Sequence, residues 1–126
     1  MRLLLDTHAL LWALAAPAKL PALSAAAIRE PANSVFVSAA SAWEIAIKVA
    51  LGKLSADLDE IVRVTADVGF EELAVTLVHA RRVGALPPHH RDPFDRMLVA
   101  QAFEEGLTVV TRDAAVREYG VPTLWS

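Results

Sequence analysis

RLLLDTHALLWAL, residues 2–14, is the stretch that decides the fold. An apolar run from Arg2 to Leu5 stops at Asp6, and leucines then recur at the roughly 3.6-residue spacing of a helix before Pro17. The pattern predicts a buried strand, an acidic corner and a helix that ends before the proline. A carboxylate placed where a buried strand ends needs a chemical explanation, because its charge is costly to remove from water.

The remaining segments continue this alternation of strands and helices. Predicted helices cover Ser24–Glu30, Ala39–Leu51, Asp59–Val68, Thr76–Val83, Phe94–Glu105 and a short segment after Asp113. Predicted strands cover Ser34–Val37, Glu72–Val75, Thr108–Thr111 and Thr123–Leu124. We expect an irregular loop over residues 84–91, and a C-terminal helix cap at Gly106. The alternation favours an α/β fold class, with a parallel sheet covered by helices on both faces.

Length and composition limit the class of protein. The 126 residues fit one compact α/β domain, 1–126, and the 55% hydrophobic content implies a large core. The net charge of −3 gives no global basic field, so any nucleic-acid binding must use a local patch. The chain has no cysteine, which excludes disulfides and cysteine-based zinc sites and suits a reducing cytosol.

The N-terminal segment superficially resembles a secretory signal, because leucines are followed by small residues at positions 15–18. Asp6 and His8 argue against this interpretation, since they interrupt the apolar stretch. No later segment approaches the roughly 18 uninterrupted apolar residues that a membrane span requires. We therefore expect a cytoplasmic protein that does not enter a membrane.

Four carboxylates, each beside an apolar segment, are the candidate functional residues: Asp6, Glu44, Asp95 and Asp113. A charged carboxylate taken out of water destabilises the fold unless it is paired or binds a metal, so we interpret the four as one divalent-metal site. Asp6 and Asp113 both follow predicted strands. Sites in open parallel sheets form at the carboxyl ends of strands, which supports a shared location for these two.

Structural interpretations compete with this one. Asp6 and Asp113 could each start the next helix as an N-cap, and for either residue alone this interpretation is at least as good. Glu44 could close a capping box with Ser41, or pair with Lys48 one helical turn later. The capping box would start its helix late and is the weaker alternative, whereas the ion pair stays open.

The segment Asp92-Pro93-Phe94-Asp95 combines a helix start with a further acid. Pro93 suits the first helical turn, where its missing N–H costs nothing, and this makes Asp92 the natural N-cap. Asp95 falls in the same turn, where the helix dipole favours a carboxylate, and it shares a face with core residues such as Leu98. We assign Asp92 mainly to structure and Asp95 mainly to chemistry.

An all-carboxylate set is the ligand preference of Mg²⁺ or Mn²⁺, and without metal at least one of the crowded acids should have a raised pKa. His89 and His90 could supply imidazole, but adjacent histidines in a proline-rich loop are expected to be surface residues. His8 is expected to pack, or to hydrogen-bond at the edge of the site. Five arginines could form a positive rim for phosphates, although each taken alone is better interpreted as solvated surface: Arg81, Arg82, Arg91, Arg96 and Arg112.

Four motifs resemble those of PIN-domain ribonucleases of the VapC toxin type. They are Leu3-Leu4-Leu5-Asp6-Thr7-His8, the segment Val37–Lys48 with its Ser-Ala-Trp-Glu, His90-Arg91-Asp92-Pro93-Phe94-Asp95-Arg96 with Ala100-Gln101-Ala102, and Val110-Thr111-Arg112-Asp113. Together the motifs are highly specific. They extend in order over nearly the whole chain, down to Leu124-Trp125.

The resemblance implies a three-layer α/β/α sandwich around a mainly parallel sheet, and Mg²⁺- or Mn²⁺-dependent endonucleolytic cleavage of RNA. By motif position, it implies these catalytic, metal-binding acids: Asp6, Glu44, Asp95 and Asp113. Thr111 and Arg112 would lie near the site, and Asp92 could replace or assist Asp95. It also implies a cognate antitoxin that blocks the acidic groove, and a homodimer.

We therefore expect an endoribonuclease that acts as the toxin of a toxin–antitoxin pair. The same fold also serves RNA processing without an antitoxin, and a non-catalytic acidic pocket for a basic peptide or a cation is the alternative from another class. A phosphatase with Asp6 as nucleophile would need a second aspartate two residues later, where His8 stands. Choice of RNA is expected to depend on groove shape and on the loop from Pro87 to Arg91.

Overall fold

A computed structural model describes all 126 residues, and its centre is one sheet of five parallel strands. The strands are β1 (Arg2–Leu5), β2 (Ser34–Ser38), β3 (Glu71–Leu73), β4 (Thr108–Val110) and β5 (Thr123–Leu124). Their order in space is β3-β2-β1-β4-β5. The chain thus builds one half of the sheet outward from β1, and then returns to build the other half on the opposite side of β1.

Seven α-helices connect the strands: α1 (Thr7–Ala15), α2 (Ala22–Arg29), α3 (Ala39–Ala50), α4 (Leu58–Asp67), α5 (Leu77–Gly84), α6 (Pro93–Glu105) and α7 (Ala114–Arg117). None of them has the length and apolar character needed to cross a bilayer. A 3₁₀ turn at Pro17–Lys19 is absent from the sequence-based prediction. Two boundaries differ from the prediction by two residues, since α2 begins two residues before the predicted Ser24 and β3 ends two residues before the predicted Val75. Most of the others differ by at most one residue.

The sheet separates two hydrophobic clusters, because side chains alternate between its faces along β1. Leu3 and Leu5 belong to a cluster with side chains of α1, α2 and α3. Leu4 belongs to a second cluster, with side chains of α6 and α7. All three leucines are fully buried. Helices therefore cover both faces, and the predicted α/β class and three-layer sandwich are confirmed.

The junction between β1 and β4 determines where a site can form. Leu5 of β1 pairs with Val110 of β4, and the next N–H, that of Asp6, donates to the Val110 carbonyl at 3.1 Å. In an open parallel sheet, a crevice forms at the carboxyl ends of the strands where the strand order reverses. Asp6 and Asp113 follow these two strands, so residues from distant parts of the chain meet at one crevice.

Candidate active site and metal centre

All four predicted acids line one cavity of about 540 Å³. Asp6 follows β1, Glu44 lies on α3, Asp95 lies in the first turn of α6, and Asp113 precedes α7. The other residues that line the cavity are Thr7, His8, Lys48, His90, Asp92, Arg112, Ala114 and Trp125. The fold therefore gathers acids that are widely separated in sequence.

Asp6 and Asp113 are helix N-caps as well as cavity residues. Asp6 Oδ1 accepts a hydrogen bond from Ala9 N at 2.7 Å, and Asp113 Oδ1 accepts one from Ala115 N at 2.9 Å. These bonds satisfy backbone N–H groups that the first turn of a helix leaves free. The capping and metal-site interpretations are compatible, because each carboxylate has a second oxygen.

Thr111 lies between these two acids, although it does not line the cavity. It is fully buried, and its Oγ1 accepts a hydrogen bond from Asp113 N at 3.0 Å. Burial raises the pKa of Asp6, which is 8% exposed, and hydrogen bonds from Thr111 and from Ala9 N oppose that rise. Thr111 therefore connects Asp6 and Asp113 by hydrogen bonds, next to the cavity that the two acids line.

Glu44 is buried, and both of its carboxylate oxygens have partners. Oε1 accepts from Thr7 Oγ1 at 2.6 Å, and Oε2 accepts from Lys48 Nζ at 2.7 Å. The ion pair left open by the sequence is thus present, and its hydrogen bond raises the pKa of Lys48. The alternative capping box does not form, because Ser38 is the N-cap of α3 and Ser41 Oγ is buried without a partner.

Asp92 and Asp95 have different surroundings. Asp92 Oδ1 accepts from Phe94 N at 2.8 Å and from Asp95 N at 3.3 Å, so Asp92 is the predicted N-cap of α6. The Asp95 side chain is only 21% exposed. Burial, followed by the charge of Asp92, raises the pKa of Asp95 to about 7. Asp6 and Asp95 both have raised pKa values, as expected for at least one of the crowded acids without a cation, and burial is the first cause in each case.

His90 lies between two of the acids, a position that the sequence analysis missed. Its Nε2 is 2.8 Å from Asp113 Oδ2 and 3.0 Å from Asp95 Oδ2, and its Nδ1 accepts a hydrogen bond from Asp92 N at 3.1 Å. Because Nδ1 is an acceptor, the proton of the neutral ring is on Nε2, facing both carboxylates. The expectation of a surface residue is wrong for His90, whereas His89 is 39% exposed.

His90 and the neighbouring carboxylates shift one another's pKa values. Burial lowers the pKa of His90, but the hydrogen bond to Asp113 and the charge of Asp95 outweigh burial and leave this pKa raised. Burial raises the pKa of Asp113, but the hydrogen bond from His90 and the bond from Ala115 N lower it by more, so the pKa of Asp113 is lowered. The one sequence signal for this role is the position of His90 two residues before the N-cap Asp92, where a side-chain acceptor can reach a backbone N–H.

A hydrogen-bond network outside the cavity holds the loop that carries His90. The Tyr119 hydroxyl accepts from His90 N and from Arg96 Nη1, both at 3.0 Å. Arg96 also donates to carbonyl oxygens within the segment 83–87. Arg96 is therefore a support for this loop, and the interpretation of Arg96 as part of a phosphate rim is wrong. No local pattern marks Tyr119, since its role depends on contacts with two distant segments.

Arg112 alone among the five candidate rim arginines lines the cavity. Its guanidinium lies 5.1 Å from the centroid of the Trp12 ring. Arg82 instead pairs with a glutamate of α6 and stacks on a phenylalanine of the same helix. Arg81 and Arg91 are exposed, as expected of solvated surface.

With this geometry in place, the chain can be compared with known proteins. The model of the PIN domain matches residues 3–122. The chain belongs to the PIN domain family. Ribonuclease VapC22 of Mycobacterium tuberculosis (strain ATCC 25618 / H37Rv) is 34% identical, and the alignment covers 97% of each chain. The resemblance to VapC-type PIN proteins that the motifs indicated is therefore confirmed.

Two solved structures share the PIN fold of this chain. One is VapBC2 from Rickettsia felis bound to a DNA fragment from their promoter, with a TM-score of 0.76, 14% identity and complete coverage of both chains. The other is FitAcB from Neisseria gonorrhoeae, with a TM-score of 0.63 and 20% identity over 97% of this chain and 96% of that one. At these identities the similarity concerns the fold alone.

The donor set of this PIN domain fits a divalent cation. His90, Asp95 and Asp113 each offer one ligand atom, and these three atoms lie within 4.8 Å of one another. Burial is the first cause of the raised pKa of Asp95, and the charges of Asp92, Asp6 and Glu44 add to it, so a cation at this place would favour the charged carboxylate. Asp6 and Glu44 line the same cavity outside this tight group. In the metal-free protein the Nε2 proton of His90 faces both carboxylates, so this nitrogen can join the predicted carboxylate ligands only after it loses that proton.

Proposed function

We propose that residues 1–126 form a single PIN domain that is a Mg²⁺- or Mn²⁺-dependent endoribonuclease, the toxin of a toxin–antitoxin pair. The observation that carries this proposal is the convergence of His90, Asp95 and Asp113 in a cavity whose walls include Asp6 and Glu44. The similarity to Ribonuclease VapC22 supports RNA as the substrate. Since the proposed substrate is cellular RNA, the proposed place of action is the cytoplasm.

Asp6, Glu44, Asp95 and Asp113 would hold the metal, and His90 would join them only after its Nε2 loses the proton that faces Asp95 and Asp113. A bound divalent cation would stabilise the negative charge that develops on a phosphodiester during hydrolysis. The protein's own contribution is to hold the acids in place before RNA arrives, and Glu44 is held by two hydrogen bonds. Such preorganisation reduces the rearrangement that the reaction requires.

Cleavage of purified RNA tests the nuclease. We expect cleavage with Mg²⁺ or Mn²⁺, none with a chelator, and its loss in Asp6→Asn and Asp95→Asn, which remove charge with little change of size. Asp67→Asn is the matched control, because Asp67 is 63% exposed on α4 and does not line the cavity. Wild-type activity in both site variants would contradict the proposal. Metal binding without cleavage of any RNA would favour the non-catalytic acidic pocket.

The role as a toxin rests on the similarity to VapC22 and on the fold shared with VapBC2. We infer a cognate antitoxin that covers the acidic cavity. Induced expression should arrest growth with the wild-type chain but not with Asp95→Asn, and co-expression of a small neighbouring reading frame should restore growth. RNA cleavage in vitro without growth arrest would favour a PIN nuclease of RNA processing.

We also infer that the toxin is a homodimer, as its resemblance to VapC-type proteins implies. Light scattering of the purified chain without an antitoxin should give twice the mass of one chain. A single-chain mass at all concentrations would contradict the dimer, and would leave the nuclease proposal unaffected because the cavity is lined by one chain.

A further inference from the structure

One side of the acidic cavity continues into a group of aromatic and cationic side chains, which we call the tryptophan wall: His8, Trp12, Arg112 and Trp125. The rings of Trp12 and Trp125 are 5.9 Å apart at 40°, and the His8 ring lies 6.1 Å from Trp12. The Arg112 guanidinium lies 5.1 Å from the Trp12 ring. His8, Arg112 and Trp125 also line the cavity, so the wall is continuous with the acidic centre.

The backbone holds Trp125 in a fixed position. β5 pairs in parallel with β4, so Trp125 leaves the sheet beside the segment that carries Arg112. Directly after Trp125, Ser126 N donates to Ser24 Oγ at 3.1 Å, and Ser126 O accepts from Ser24 N at 2.9 Å. Ser24 is fully buried. The Trp125 ring itself packs against Trp12 and the hydrophobic core, so it should lose little conformational entropy when a ligand stacks on it.

The charge distribution indicates what such a wall could bind. The net charge of −3 and the acids of the cavity repel a polyanion, so RNA needs local cations near the site. Arg112 is exposed and forms no salt bridge, and Lys19 Nζ lies 5.9 Å from the Trp12 ring. By contrast, the exposed Trp43 lies in a groove lined by apolar side chains alone, which offers no cation to a phosphate.

We propose that the tryptophan wall is a nucleotide-binding subsite, in which Trp125 stacks on an unpaired base and Arg112 contacts an adjacent phosphate. A base must leave its helix to stack on a side chain, so the substrate segment beside the cleaved bond is single-stranded RNA. This inference rests on the proposed ribonuclease function and assigns two residues that would hold the RNA beside the cleaved bond.

Binding of a short fluorescein-labelled single-stranded RNA, followed by anisotropy, tests the wall separately from cleavage. Every protein compared carries Asp95→Asn, so that the RNA stays intact. Trp125→Phe keeps an aromatic face and should bind within about twofold of the parent, whereas Trp125→Leu should bind about tenfold more weakly. Both keep an apolar side chain against the core, and thermal melting checks that they fold. Trp43→Leu is the matched control and should bind like the parent.

Salt dependence separates stacking from charge. Arg112→Gln should reduce the slope of log K against log salt concentration by about one, because one phosphate contact is lost. Trp125→Leu should weaken binding at every salt concentration without a change of slope. The same RNA annealed to its complement should bind more weakly than the single strand and respond little to Trp125→Leu.

The binding and cleavage results distinguish a failure of the nucleotide-binding subsite from a failure of the nuclease proposal. Equal binding of RNA by Trp125→Leu and Trp125→Phe would overturn the subsite and leave the nuclease proposal intact. A protein partner would then be the next ligand to test on the tryptophan wall. Binding by the Asp95→Asn chain that depends on Trp125, together with no RNA cleavage by the wild-type chain, would support the subsite and overturn the nuclease alone.

Discussion

Asp95 is the residue at which burial and charge conflict most directly. Its carboxylate is largely buried beside Asp92, with Asp6 and Glu44 adding to the negative potential, and its pKa is raised to about 7. An aspartate in an unfolded chain has a pKa of about 3.9. Folding without a cation therefore disfavours the charged form of Asp95, and a cation that neutralises the cluster removes this cost.

The raised pKa predicts how the metal-free protein responds to pH. The folded state binds the Asp95 proton more tightly than the unfolded state, so this contribution to stability is fully present below about pH 4 and is lost as pH rises through about 7. In a chelator, the Tm of the wild type should fall relative to Asp95→Asn by a few degrees between about pH 5 and about pH 8. A Tm difference that does not change with pH would contradict the raised pKa.

Among the elements, α3 shows how a helix start brings a side chain to the site. Ser38 ends β2 and caps α3, with Ser38 Oγ accepting from Ala40 N at 3.0 Å. The helix therefore begins directly where the strand ends, and its second turn carries Glu44 to the cavity. A start at Ser41 would leave the N–H groups of Ala39 and Ala40 outside the helix.

Two serine variants test where helix α3 begins. Ser38→Ala should cost about 1 kcal/mol of unfolding free energy, because it removes the N-cap. Ser41→Ala should be neutral or stabilise the fold by up to about 1 kcal/mol, because it removes a buried hydroxyl that has no partner. Urea denaturation measures both, and each variant is the control for the other. A larger loss for Ser41→Ala than for Ser38→Ala would mean that the helix starts at Ser41.

The segment after α7 supports the loop before α6 through a single hydroxyl. Tyr119→Phe leaves His90 N without its acceptor and frees one donor of Arg96. We expect a loss of about 1 kcal/mol in unfolding free energy, with slower single-turnover cleavage and weaker Mn²⁺ binding by calorimetry, because His90 loses its fixed position. If stability falls while cleavage and Mn²⁺ affinity stay unchanged, Tyr119 supports the fold but not the site.

For the whole molecule, the proposed metal should increase the free energy of unfolding, because its ligands come from both halves of the sheet. A ligand that binds only the folded state adds about 2.7 kcal/mol at a concentration of about 100 times its Kd. Mn²⁺ should therefore raise the Tm of the wild type and of Asp67→Asn, and raise it much less for Asp95→Asn and Asp113→Asn. Equal shifts in all four proteins would place the bound ion elsewhere.

Local signals predict the elements and the acids of this molecule, but not its contacts. Several signals act within a few residues, so they can be recognised along the chain. They are the hydrophobic spacing, the proline at the start of α6 and Gly106 at its end. The roles of His90, Arg96 and Tyr119 depend on bonds between residues 23 to 29 positions apart. The one local signal, the two-residue spacing of His90 and Asp92, does not reveal these distant partners. The order of the strands also depends on contacts between distant segments, so hydrophobic periodicity alone does not predict it. The three-layer architecture was predicted from the motif resemblance.

The central place of β1 has a consequence for synthesis. Leu3 is made early, yet it pairs with Thr108, so one half of the sheet must wait for a segment translated much later. A ribosome-bound chain that has not reached Asp113 lacks an essential acid of the proposed catalytic centre. Topology would thus keep the proposed nuclease inactive until the segment that carries Asp113 has been synthesised.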